Sequence, residues 1–134
     1  MRGDWERAVR SDDVATLARL LDEGADIDAR DGHGQTGVML AVLSRARAAA
    51  TFLAGRGAGL DHTAKYHLSA LMLAVIRDEP EIVSALVQAG ADPTIRGSGA
   101  PGFEGKTALD LAEAAGRAAI AQILREAERR GPAR

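Results

Sequence analysis

Between Ser69 and Gly90 the apolar residues fall into two groups separated by a polar break. Leu71, Leu73, Ala74 and Val75 predict a short, mostly buried helix directly after Ser69. Beyond Asp78-Glu79-Pro80, the residues Ile82, Val83, Ala85, Leu86 and Val87 give a second helix its apolar face. Asp78 is placed to cap that second helix, and Pro80 in its first turn removes no hydrogen bond. Gly90 supplies the left-handed residue that ends a helix at little cost. A hairpin of two short helices cannot bury both apolar faces by itself.

The same unit recurs along the chain. Gly-Ala pairs stand at 24–25, 57–58 and 90–91, a spacing of 33 residues. Thr36-Gly-Val-Met-Leu-Ala41 likewise stands 33 residues before Ser69-Ala-Leu-Met-Leu-Ala74, and Trp5 stands 33 before Val38. The related Thr107-Ala-Leu-Asp-Leu-Ala112 arrives 38 residues after the Ser69 motif, so five residues have been inserted ahead of it. A fixed period of this length is the mark of a solenoid, in which each hairpin covers its neighbour. Alanine at 8, 41, 74 and 112 keeps one slot small enough for close helix approach, while leucine at 20, 53, 86 and 124 fills another. Each such leucine contributes roughly 1.5–3 kcal/mol when buried. Trp5 shares this register and is assigned to the stack.

The residues that carry the period resemble the ankyrin repeat, whose pattern runs Thr-Pro-Leu-His-x-Ala, then an Ile-Val-x-x-Leu-Leu second helix, then Gly-Ala-Asp. The resemblance implies an all-α ankyrin-repeat solenoid of about four helix-turn-helix units joined by hairpin fingers, stacked in a right-handed sense. The expected units are about 4–30, 31–63, 64–96 and 97–130, one domain over 1–134, with the five-residue insertion in the finger around 97–101. Some positions depart from the pattern. Gly37 takes the proline slot, and Gly59 takes the aspartate slot. Asp31 and Gly34 suit a tight finger hairpin, but His62-Thr-Ala-Lys-Tyr-His67 has neither residue, which leaves the turn of that finger open. Arg45-Ala-Arg47 and Ala48 to Ala50 give the second pair a thin apolar face, so it is expected to be the weak joint. Gly131 to Arg134 are expected to fray.

Composition narrows the chemistry. Hydrophobic residues are 46% of the 134 yet aromatics only 3%, which suits closely stacked helices better than a sheet sandwich. A net charge of −2 argues for neither nucleic acid nor an anionic membrane, and neither is expected as a partner. The absence of cysteine removes disulfides and thiol chemistry and is compatible with a cytoplasmic setting. Met1-Arg-Gly-Asp-Trp-Glu-Arg is charged where a signal peptide needs an apolar run, so export by that route is not expected.

One stretch resembles a relaxed phosphate-binding loop: Ala100-Pro-Gly-Phe-Glu-Gly-Lys-Thr107. Such a loop needs a preceding strand and free backbone N–H groups, and a Gly-Ser-Gly finger precedes it instead. Nucleotide or phosphate binding through 100–107 is therefore the alternative reading, with no cofactor expected. His62 and His67 with Asp61 have loop spacing that is weak for a metal. Asp12-Asp13 and Glu79 with Glu81 stand at helix starts, where the helix dipole favours them. No catalytic constellation stands out, and an enzyme is not expected.

What remains is surface. The resemblance implies a concave face of finger tips and first helices that binds one protein partner, as a docking module or as an inhibitor or immunity-type protein, by a monomer. By register that face holds Arg10 and Ser11, then His33, Gln35, Leu43 and Ser44. The third unit adds Lys65, Tyr66, Leu68, Ile76 and Arg77, and the fourth adds Phe103, Glu104 and Lys106. Tyr66 and Phe103 are expected at its centre as aromatic anchors, unless the long finger folds Phe103 back onto the stack. Arg47, on the turn opposite the fingers, is expected to lie outside it.

Overall fold

The computed structural model describes residues 1–130, so the expected fraying at Gly131 to Arg134 lies outside the described residues. Eight α-helices are present there: α1 (Gly3–Arg10), α2 (Val14–Asp22), α3 (Gly37–Leu43), α4 (Arg47–Gly55), α5 (Ala70–Ile76), α6 (Pro80–Gln88), α7 (Ala108–Ala114) and α8 (Ala118–Arg130). Consecutive helices pack as pairs. The first helices α1, α3, α5 and α7 stack on one another, and so do the second helices α2, α4, α6 and α8. The result is a two-layer helical solenoid, as the period required. Among the described residues strand pairing is limited to isolated bridges, Arg30 with Thr36, Thr63 with Ser69 and Gly97 with Glu104, each at the base of a finger.

The small and large slots behave as the spacing predicted. Ala8, Ala41, Ala74 and Ala112 are at most 4% exposed, and Leu20, Leu53, Leu86 and Leu124 at most 1%. Trp5 is buried in the stack. Its indole explains the glycine in the proline slot: a Cβ on Gly37 would lie 3.0 Å from Trp5 Nε1. Among the described residues that indole N–H has no hydrogen-bond partner.

Each later first helix starts on a buried hydroxyl. Thr36, Ser69 and Thr107 accept from the N–H of Met39, Met72 and Asp110 at 3.3, 3.3 and 3.2 Å. At Thr107 the bond is reciprocal, its own N–H donating to Asp110 Oδ2 at 3.0 Å, a complete capping box.

The turns within the pairs also share one geometry. Asp12, Arg45, Asp78 and Gly116 occupy equivalent positions and all have left-handed backbone, with φ of 60°, 55°, 56° and 70°. This corrects the expected role of Asp78, which is the left-handed turn residue and not the cap of α6. Glu79 is the residue that precedes α6, and its side chain makes no cap bond either. Asp13, one step after Asp12, does cap α2 through Thr16 N–H.

Neighbouring pairs are joined along this turn edge. Asp12 Oδ1 accepts from Ala49 N–H at 2.7 Å, and Arg117 pairs with Asp78 at 3.2 Å. Between them, Glu79 is only 1% exposed and is held by Arg47 at 2.8 Å and Arg45 at 3.8 Å. Glu79 stands at a helix start, as expected, and is also buried, with the two arginines of the preceding turn reaching over it. The joint expected to be weak therefore carries an ion pair whose carboxylate is buried and whose guanidinium groups are exposed.

Candidate partner-binding surface

The opposite edge of the solenoid carries the fingers. In the second finger Asp31 Oδ1 accepts from the N–H groups of His33 and Gln35 at 2.9 Å each, and Gly34 has a φ of +76°. This is the tight turn that the Asp and Gly predicted. The third finger, lacking both, closes differently. Ala64 N–H donates to Leu68 O at 3.1 Å, and Lys65–His67 form a single 3-10 turn between them. Tyr66 and His67 are both left-handed, with φ of 61° and 57°, a conformation that costs roughly 1–2 kcal/mol per non-glycine residue.

Bonds from the fourth finger hold that strained turn. Ser98 N–H donates to Tyr66 O at 2.8 Å, and His67 Nδ1 lies 2.8 Å from the carbonyl of Arg96. The inserted residues curl onto themselves: Phe103 and Glu104 N–H both reach Ala100 O, and Gly99 N–H reaches Glu104 Oε2 at 2.7 Å. Gly97 must lack a side chain, because a Cβ there would sit 2.5 Å from Phe103 O. The curl brings Phe103 against Tyr66 with ring centroids 5.4 Å apart and planes tilted by 40°. Lys65 Nζ lies 5.0 Å from the Tyr66 ring centroid, within cation–π range.

The expected surface residues are thus only partly brought together. Lys65, Tyr66 and Phe103 form one cluster, with Glu104 and Lys106 on the same finger as Phe103. Phe103 is half-buried and packs on the core while it touches Tyr66, so the long finger folds it partly back onto the stack. Among the described residues the large hydrophobics left exposed are Tyr66 and Ile76, at 36% each. Ile76 and Arg77 lie at the far end of α5 from Tyr66, and that helix is about 10 Å long. His33 is exposed on the second finger, while Gln35, Leu43 and Ser44 are half-buried. Arg10 and Ser11 are exposed at the end of α1.

Leu68 does not belong to the surface. It is 6% exposed and part of the core. At the equivalent position Gln35 is half-buried and Lys106 is exposed. The slot can face either way, and an apolar side chain there gains by turning inward.

The phosphate-loop resemblance finds no cradle. The N–H groups of Phe103, Glu104, Gly105 and Lys106 donate within the finger, and that of Thr107 donates to Asp110. None is left aimed at a common centre. His62 and His67 also turn apart: His62 Nδ1 meets Arg30 at 2.7 Å, and His67 meets the Arg96 carbonyl. Asp61 Oδ1 accepts from Asp92 N–H at 2.8 Å, just as Asp28 Oδ1 accepts from Gly59 N–H. These cross-finger bonds, like Ser98 with Tyr66, were missed from sequence. The recurrence of Asp28 and Asp61 at the 33-residue spacing was the available signal.

Comparison with known proteins agrees with this architecture. The family described as ankyrin repeats (three copies) matches residues 5–97. Curated proteins gave no match to the chain. The matched region covers the first three helix pairs and ends at Gly97, the base of the fourth finger; α7 and α8 beyond it continue the same stack. By its period, its stacked helix pairs and this match, the chain belongs to the ankyrin-repeat family, whose members are generally protein–protein interaction modules.

Proposed function

We propose that this chain is a monomeric, non-enzymatic docking module that binds one protein partner through its third and fourth fingers, with the adjoining first helices contributing. The observation that carries the reading is the Tyr66–Phe103 pair. It is an aromatic cluster with an exposed tip at Tyr66, fixed by bonds between two fingers, with Phe103 supporting it from a half-buried seat on the stack. Aromatic anchors ringed by basic residues are the side chains most often dominant in binding energy. A cysteine-free chain, in whose described residues no helix is long and apolar enough to cross a membrane, supports a cytoplasmic setting. In this proposal α7 and α8 form a fourth unit, and the inserted finger belongs to the binding surface.

The test is affinity capture from native lysate followed by quantitative binding. Tyr66→Ala and Phe103→Ala should each weaken the partner by about thirtyfold, which corresponds to loss of a central anchor. Arg47→Ala is not a neutral control, because Arg47 holds buried Glu79. Arg19→Ala, on the exposed side of α2, serves instead. Binding that survives both aromatic substitutions but fails with Arg19→Ala would move the partner to the other side of the solenoid. Adding the chain to the captured partner and measuring that partner's activity separates docking from active-site inhibition.

A further inference from the structure

We infer that the two-finger platform takes an acidic partner segment carrying an apolar anchor; this rests on the docking reading above and names the chemistry it recognises. The chain has only two lysines, Lys65 and Lys106, and they fall one in each of these fingers. Among the described residues neither has a carboxylate within ion-pair distance, nor do Arg77 and Arg96. Several arginines elsewhere, such as Arg19, Arg47 and Arg117, are paired, although among the described residues Arg7 and Arg30 are not. From 62 to 76 the sequence has no acidic residue, and from 95 to 107 it has only Glu104.

The carboxylates at this edge already hold internal donors. Glu104 accepts from Gly99 N–H, Asp61 from Asp92 N–H, and Asp92 from the N–H and hydroxyl of Thr94. Across the two fingers, then, Lys65, Arg96 and Lys106 stand against the carboxylate of Glu104, on a chain whose net charge is −2. Asp110 lies beyond them at the start of α7, near Lys106 and Arg96 but already held by Thr107 N–H. A local cationic surplus on an acidic protein steers and orients an anionic partner.

The apolar part of the site is adjacent to the charge. Lys65 Nζ lies over the exposed Tyr66 ring, and Phe103 supports that ring from the side. An incoming carboxylate can meet the ammonium while an aliphatic or aromatic side chain packs on the rings. Because Ser98 and His67 already tie the fingers together, little ordering cost remains for binding. Single-stranded nucleic acid fits less well. It requires a series of open ring faces, whereas Tyr66 is flanked by Lys65 and Phe103 is half-buried.

The experiment uses the full chain, isotopically labelled, and three defined probes. One is a short synthetic peptide of glutamates around a central Leu-Phe pair. The second is the same peptide with lysine for every glutamate, and the third is an oligothymidine strand. The acidic peptide should shift amide resonances at 65–68 and 97–106 saturably, with an affinity that falls as salt rises. The double substitution Lys65→Glu with Lys106→Glu should weaken it at least about tenfold while leaving thermal unfolding unchanged. Equal or better binding of the lysine peptide would overturn the inference. So would preference for the oligonucleotide, failure of the acidic peptide to bind, or binding indifferent to the charge reversal. The native partner keeps the two readings apart. If Tyr66→Ala abolishes its capture and the charge reversal does not, docking stands and the acidic chemistry falls. If neither substitution matters, the docking reading itself falls.

Discussion

Arg47 grips Glu79 with two hydrogen bonds, Nε to Oε2 at 2.8 Å and Nη2 to Oε1 at 3.3 Å, across the boundary between the second and third helix pairs. The two ends of this contact differ: the Arg47 side chain is 55% exposed and that of Glu79 only 1%. Removing the arginine strands a charge away from water, whereas removing the carboxylate leaves a guanidinium that water can reach. Arg47→Ala should therefore destabilise more than Glu79→Gln. Its loss should be moderated by Arg45, which remains at 3.8 Å. Urea unfolding of the two variants checks the order, and equal losses would mean that Glu79 is solvated.

Leu86→Ala should cost about 2–5 kcal/mol, the usual range for truncating a fully buried leucine. Leu43→Ala, at a half-buried position near the end of α3, should cost clearly less. Thermal or chemical unfolding of both variants measures the difference. Equal small losses would contradict the burial pattern on which the solenoid rests.

The start of α7 predicts an acid response. Hydrogen bonds from Thr107, first from its backbone N–H, hold the Asp110 carboxyl below its ordinary range near 3.8 despite some burial. A depressed folded-state pKa gives stability that is present above the ordinary carboxylate value and is lost as pH falls below it. Asp110→Asn should lower stability at neutral pH and make its decline below about pH 4 shallower. Thr107→Ala should cost about 1 kcal/mol. Stability measured against pH for both variants is the check; an unchanged acid slope in Asp110→Asn would remove the capping box from the account.

Gly97→Ala should disturb the fourth finger without unstacking the helices, since the added Cβ would meet Phe103 O at 2.5 Å. Amide exchange should quicken at 66–68 and 97–106 while the α3 and α5 amides stay protected. Faster exchange throughout would show that the finger is integral to the core.

Most of the solenoid was legible because its signals are local and recur. Ala41 and Ala74 fill the same slot for the same reason, and the Thr36 and Ser69 caps repeat with them. What escaped depends on partners brought near only by stacking. Glu79 reads only as a helix-start acid until Arg47, 32 residues earlier, is seen to cover it. Leu68 reads as a surface residue because its slot holds Gln35 in one finger and Lys106 in another, and only its own apolarity turns it inward. The place of Phe103 follows from the closure of Ser98 onto Tyr66, which no composition of the insert announces.

The fourth finger leaves and rejoins the solenoid through a short gate: Gly97 N–H donates to Lys106 O, and Gly105 N–H returns to Gly97 O. Between those bonds the N–H groups of Phe103, Glu104 and Lys106 donate within the finger, Gly99 N–H meets Glu104 and Ser98 N–H meets Tyr66, while α7 begins beyond them on its own capping box. Finger length and helix register are consequently separate variables in this molecule. A segment of different length and chemistry, seated between Gly97 and Gly105, could change what the surface grips while the scaffold beneath kept its shape. The insertion is thus a replaceable tool head on a fixed handle.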